Sequence, residues 1–163
     1  MDPKQFIIES LEMSRGIMKQ YLEDISDDEF FIRPAENANH IAWQLGHMLS
    51  AEHKMISVVA SGARPELPEG FLLKHSKEAC GSDSKDDFFP KETYVSLIDP
   101  IRDTTVQELK DIPVERLYDP LPEGLPEFVP SVGGLFQMCA SHFFMHSGQV
   151  AVLRRKLGKP IVI

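Results

Sequence analysis

Two histidines one helical turn apart, His142 and His146, are the residues of this sequence best suited to chemistry. At about 100° per residue, side chains at positions i and i+4 point about 40° apart, so both imidazoles leave the helix on one face. That face carries the apolar stripe of the last predicted helix, and Gln149 continues it. Buried polar atoms need partners, so the pattern indicates either hydrogen-bonded core histidines or two ligands for one divalent ion. We favour the ligand pair. The apolar members of the stripe are Leu135, Met138, Cys139, Leu153 and Leu157.

A metal site on this pair needs at least one further protein ligand, which must come from another helix. Periodicity on the second predicted helix ranks Glu52 above His47, because Glu52 falls among apolar positions whereas His47 lies on their flank. A glutamate at a core position also has a simpler explanation, a buried ion pair or a hydrogen bond to a neighbouring helix. Of the other candidate ligands, His40 could serve instead as a cap or rim residue, and His53 and His75 are expected in solvent. Cys139 could bind the ion as a thiolate, but a free cysteine in a core is usually a small hydrophobe.

Four long helices are predicted from apolar residues recurring at spacings of three, four and seven. Asp2 is a suitable cap for the first helix, and Pro3 fits its first turn. Pro100 should kink the third helix or split it in two. No segment alternates as a strand does, so the fold class is all-α, a four-helix bundle. The second helix is predicted from near Asn39 to about Ser61, the third after Pro90, and the last from Ser131 to Gly158.

A long connection, residues 62–90, joins the second and third predicted helices and is rich in proline, glycine and polar residues. Connections of this length usually cover a site or cross the bundle. Phe71, Leu72 and Leu73 could line the apolar mouth of a substrate cover. A strap packed over the bundle explains the same residues equally well.

The composition of the chain indicates the broad class of protein to which it belongs. The chain has 163 residues, an apolar share of 42% and a formal net charge of −8. These values predict one folded domain over residues 1–163 and disfavour a nucleic-acid binder or docking on anionic lipid. No apolar stretch approaches the ~20 residues of a spanning helix, and the first residues lack the layout of a signal peptide. Two cysteines cannot form a disulfide framework, which favours reduced thiols in the cytoplasm.

Two segments resemble the DinB/YfiT-like family. One is Asn39 to Glu52, which contains His-Ile-Ala-Trp-Gln-Leu-Gly-His, and the other is the His-x-x-x-His-x-Gly-Gln of residues 142–149. The order of helices and the long connection are also similar. The resemblance implies a four-helix bundle in which His47, His142 and His146 hold one divalent ion, often zinc or nickel, and commonly a homodimer.

The resemblance also implies a function, because some members of that family are S-transferases that act with low-molecular-weight thiols such as bacillithiol or mycothiol. A thiol cofactor and a small-molecule substrate would then be expected. The residues leave two alternatives open. A metal ion with one open position can lower the pKa of water to about 7, which would give a hydrolase. The second alternative is a non-catalytic metal-binding or stress-response protein. Glu52 is the candidate general base, with His40 or a loop residue as alternatives.

Overall fold

The computed structural model describes residues 2–60 and 62–163, and within them it contains helices and no strand. The predicted all-α class is confirmed. The four long helices are joined by loops that include one short helix and several 3-10 turns. Among the described residues, none of the helices is long and apolar enough to cross a bilayer. The helices are α1 (Pro3–Leu22), α2 (Ile41–Val59), the short α3 (Phe71–Lys74), α4 (Lys91–Asp111) and α5 (Val132–Lys156).

Side-chain caps explain where three of the long helices begin. The Asp2 carboxylate accepts from the amide of Lys4 at the start of α1, as predicted. The Ser131 hydroxyl accepts from the amide of Gly134 at the start of α5. For α2 the predicted cap, Asn39, is wrong by one residue. The ring of His40 caps the helix instead, and its Nδ1 accepts from the amide of Trp43.

Two of the long helices, α2 and α4, differ from the prediction. The second helix ends at Val59, and Ser61, its predicted end, lies outside the described residues. The third long helix is continuous through Pro100 and is not split. Proline removes the hydrogen bond to the carbonyl four residues earlier, here that of Ser96. Both Ser96 and Pro100 are exposed, so water can solvate the freed carbonyl and the helix continues.

The core is divided between the two ends of the bundle. One cluster contains Met18, Leu45, Tyr94 and Phe143, and the other contains Leu11, Leu109, Leu135 and Phe136. The predicted burial of α5 is confirmed, because all four residues on the expected line are buried. They are Leu135, His142, His146 and Leu153.

The long connection packs against α2 through a few residues of its first half. Phe71 is buried, while Leu72 and Leu73 are exposed, which agrees with a strap at this point. The prediction that His75 lies in solvent is wrong, because the ring is 2% exposed. A Cβ on Gly46 would overlap that ring, so the missing side chain of Gly46 leaves the space in which His75 sits against α2.

Candidate metal centre

Three histidines from two helices converge in the interior of the bundle. His47 comes from α2, and His142 and His146 come from adjacent turns of α5. Each offers one ring nitrogen, and these three atoms lie within 4.8 Å of one another. His142 and His146 are buried, while His47 is half-buried. The structure therefore brings together the three histidines that the family resemblance implied.

The distances within the cluster suit ligands that share one ion. The Nε2 atoms of His142 and His146 are 3.2 Å apart. Two ligands about 2.05 Å from a tetrahedral zinc ion would be separated by about 3.3 Å. The ring of His47 stacks on the indole of Trp43, with centroids 4.8 Å apart and planes inclined by 6°. This stacking restricts the rotation of the one ligand that α2 supplies.

A glutamine fixes the proton on one of the rings. The amide nitrogen of Gln44 donates to the carbonyl of Asn39, which turns Oε1 of Gln44 towards His146. That oxygen lies 3.0 Å from Nδ1 of His146 and can only accept, so Nδ1 must carry the proton. The lone pair of His146 is then on Nε2, the atom that faces His142. Metal-binding histidines are commonly oriented in this way by a hydrogen bond from their second nitrogen.

The glutamine that orients His146 is not one of the residues that the sequence pattern indicated. Gln149 was expected to continue the buried line, but it is only half-buried. Gln44 is buried at 1% exposure and holds His146 instead. One signal could have found it: Gln44 lies three residues before His47, on the same side of α2.

Burial keeps the three imidazoles neutral near pH 7. Burial first, and the neighbouring histidines of the cluster second, lower the pKa of His142 to about 4 and that of His146 to about 3. The pKa of His47 is also lowered, mainly by burial and then by the charge of Lys77. A neutral imidazole has a lone pair free for a metal, and a donor set of imidazoles suits zinc or nickel. The residues present therefore fit a divalent ion.

Glu52 lies away from this cluster and makes an ion pair. Its Oε2 is 2.9 Å from Nη2 of Arg102 on α4, and both side chains are buried. Burial raises the pKa of the Glu52 carboxyl, although the charge of Arg102 opposes this effect. Nearby, burial raises the pKa of the Cys139 thiol well above its usual range, so this residue stays a neutral thiol. Its role as a small buried hydrophobe accords with that.

The other three histidines point their ring nitrogens elsewhere. His40 caps α2 and lies 3.2 Å from the carbonyl of Ser82. His53 is half-buried and lies 3.1 Å from the carbonyl of Pro65. Nδ1 of His75 lies 2.6 Å from the carbonyl of Phe71, and its Nε2 lies 2.9 Å from the hydroxyl of Tyr94. None of the three belongs to the group of converging nitrogens found among the described residues.

Comparison with known proteins agrees with the fold and with the family suggested by the two segments. A family model described as the DinB superfamily matches residues 10–150. A crystal structure described as the conserved protein of locus from Enterococcus faecalis is similar at a TM-score of 0.71 and 18% identity. The match covers 98% of this chain and 99% of that one, and at this identity it shows the fold alone. No curated protein matches significantly.

Proposed function

The chain belongs to the DinB superfamily, and from this membership and the three converging histidines we propose that it binds one divalent ion, zinc or nickel, through His47, His142 and His146. The observation that carries the proposal is the facing pair of Nε2 atoms on α5. Gln44 holds the proton of His146 on the opposite nitrogen, so the lone pair is available where the ion would lie.

We further propose that the protein is an S-transferase that uses a low-molecular-weight thiol. A divalent ion with three imidazole ligands supplies a Lewis-acid centre with one open position, which lowers the pKa of a thiol or water that binds there. The contribution of the chain is to keep three imidazoles neutral, to orient His146 through Gln44 and to restrain His47 against Trp43.

A second candidate function, hydrolysis, receives less support from the same residues. Two side chains considered as general bases have other partners: Glu52 is paired with Arg102, and His40 caps α2. A thiol nucleophile that loses its proton on binding needs no such base. Glu52 as a general base stays a prediction, and so does the non-catalytic alternative.

Metal binding is tested first, on protein purified without a metal-affinity tag and stripped with a chelator. Zinc is titrated in competition with a chromophoric chelator, and one ion per chain is expected. His142→Ala should reduce the affinity by at least ~100-fold, because one of three ligands is lost. His53→Ala is the matched control on α2, and it should bind as the wild type does. Equal affinity in all three proteins would contradict the proposal.

Thiol use is tested next by calorimetry on the zinc-loaded protein, with bacillithiol and mycothiol as probes. Binding should release protons, so the observed heat should depend on the ionisation enthalpy of the buffer. The signal should disappear in His47→Ala. Ester hydrolysis that rises through a pKa near ~7, with thiols acting only as inhibitors, would indicate the hydrolase instead. If neither thiol binding nor ester hydrolysis is detected, the non-catalytic alternative is favoured.

A further inference from the structure

An arginine lies at the centre of the bundle, where it contacts two other helices. Arg102 of α4 is 0% exposed, and its Nη2 lies 2.9 Å from Oε2 of Glu52 on α2. The same nitrogen lies 3.5 Å from the carbonyl oxygen of Cys139 on α5. The guanidinium also covers the ring of Phe143 on α5, with its carbon 4.4 Å from the ring centroid. One side chain thus connects α2 and α5.

Few hydrogen bonds offset the cost of burying this ion pair away from water. Within the described part of the chain, Nε and Nη1 of Arg102 have no hydrogen-bond partner, and the carboxylate of Glu52 has only Arg102 and Thr105 as polar partners. Removing such groups from water is costly, and a buried ion pair often stabilises a fold less than apolar residues of similar size would. The pair is therefore difficult to explain as a device for stability alone.

Its position relative to the metal centre suggests another role. On α2, Glu52 follows His47 by five residues, or about 7.5 Å of helix. On α5, Cys139 precedes His142 by three residues, or about 4.5 Å, and Phe143 directly follows it. Arg102 therefore contacts each ligand-bearing helix within about one and a half turns of its ligand. The two helices supply different ligands, so their relative position decides whether the three nitrogens converge.

We propose that Arg102 is a positioning residue for the metal centre: anchored by Glu52, it holds α5 against α2 in the register that His47 and His142 need. This inference rests on the proposed metal binding. The planar guanidinium suits the task, since it can pair with a carboxylate at its edge and cover an aromatic ring with its face. Lysine cannot make both contacts.

The test replaces the whole pair with apolar residues, in Glu52→Leu/Arg102→Met, so that no buried charge is left alone. The urea midpoint of the metal-free variant should equal or exceed that of the wild type. Its zinc affinity should nevertheless fall by about 10- to 100-fold, the loss typical when the support of a metal ligand is removed. The visible absorption spectrum of the cobalt-loaded variant should change in band position or intensity. Leu109→Met, a volume-conserving change on α4, is the control and should alter neither readout.

The outcomes separate this inference from the proposed function. Wild-type zinc affinity and an unchanged cobalt spectrum in the double variant would overturn the positioning role alone. Failure of the wild-type protein to bind zinc would overturn both. If the double variant does not fold, Glu52→Gln replaces it, because this change keeps the shape of the anchor and removes its charge. A loss of zinc affinity of at least about threefold is then expected, and no loss would overturn the positioning role.

Discussion

Two groups of histidines lie against the first half of α2, and they differ in the atoms that their ring nitrogens face. In the first group, His40 and His75, every nitrogen has a partner of another kind. Nδ1 of His40 accepts from a backbone amide, and Nε2 faces a carbonyl. Nδ1 of His75 donates to the carbonyl of Phe71, and Nε2 accepts from the hydroxyl of Tyr94. Each ring has one tautomer that satisfies both nitrogens.

In the second group, the nitrogens of His47, His142 and His146 face one another. Two lone pairs 3.2 Å apart repel unless a proton or a cation lies between them. The comparison teaches that burial alone does not identify a metal ligand, because His75 is buried at least as deeply as His142. What distinguishes the ligands is the convergence of their nitrogens.

The largest expected effect separates the two groups directly. His146→Ala should lower zinc affinity by at least ~100-fold, because it removes one of three ligands. His75→Ala should still bind one zinc ion per chain, although its unfolding free energy should fall. Competition titration and urea denaturation of both variants provide the comparison. Loss of zinc binding in His75→Ala with the fold intact would show that the two groups are not distinct.

The contact between His75 and Gly46 gives the next effect. Gly46→Ala should destabilise the protein by about 1–3 kcal/mol, because the new methyl group would overlap the imidazole ring. In a His75→Ala background the same change should cost little, since the ring is gone and alanine favours helix over glycine by about 1 kcal/mol. Urea denaturation of the four proteins measures the coupling. If the two single changes have additive effects on the unfolding free energy, the His75 ring does not occupy the space next to Gly46.

The glutamine beside His146 should affect metal binding more than stability. Gln44→Leu removes the acceptor that holds the proton on Nδ1, and zinc affinity should fall by about 10- to 100-fold. Gln149→Leu is the matched control on α5 and should leave the affinity unchanged. Competition titration of both variants decides between them. A larger loss of zinc affinity in Gln149→Leu would contradict the assignment of this role to Gln44.

The smallest effect concerns acid stability. Burial lowers the pKa of His75 to about 4, with the charges of Lys74, His40 and His47 acting in the same direction. The unfolded chain therefore binds a proton near pH 6.5 that the folded protein does not, and stability is lost as the pH falls from about 6.5 towards 4. Between pH 6.5 and 5.5 this amounts to about 1 kcal/mol. Urea denaturation at both pH values should show a smaller loss of unfolding free energy in His75→Gln than in the wild type. An equal loss would show that protonation of His75 is not the cause.

The helices could be predicted because the signals that form them are local. The caps at Asp2 and Ser131 and the buried line of α5 all follow from residues close in sequence. His47 is different. Its flank position on α2 gave it a lower rank than Glu52, and only the family resemblance selected it. A residue on the flank of an apolar stripe lies in the interior when a neighbouring helix packs over that flank. The periodicity of one helix does not indicate where its neighbours pack.

Two features that periodicity did not predict depend on partners distant in sequence. The burial of His75 depends on the space above Gly46 and on the hydroxyl of Tyr94, neither of which is local. For Glu52 a buried ion pair was considered, but nothing in the sequence identified Arg102 as the partner. These contacts are set by the packing of one element against another, so periodicity within each element could not find them.

The central claim is that three histidines from two helices hold one ion, and a crystal structure with anomalous scattering tests it most directly. The protein is purified without a metal-affinity tag and supplied with zinc. We expect one anomalous peak per chain, with one nitrogen each of His47, His142 and His146 at about 2.0–2.1 Å from it. A zinc-replete crystal with no peak among these three rings would contradict the account.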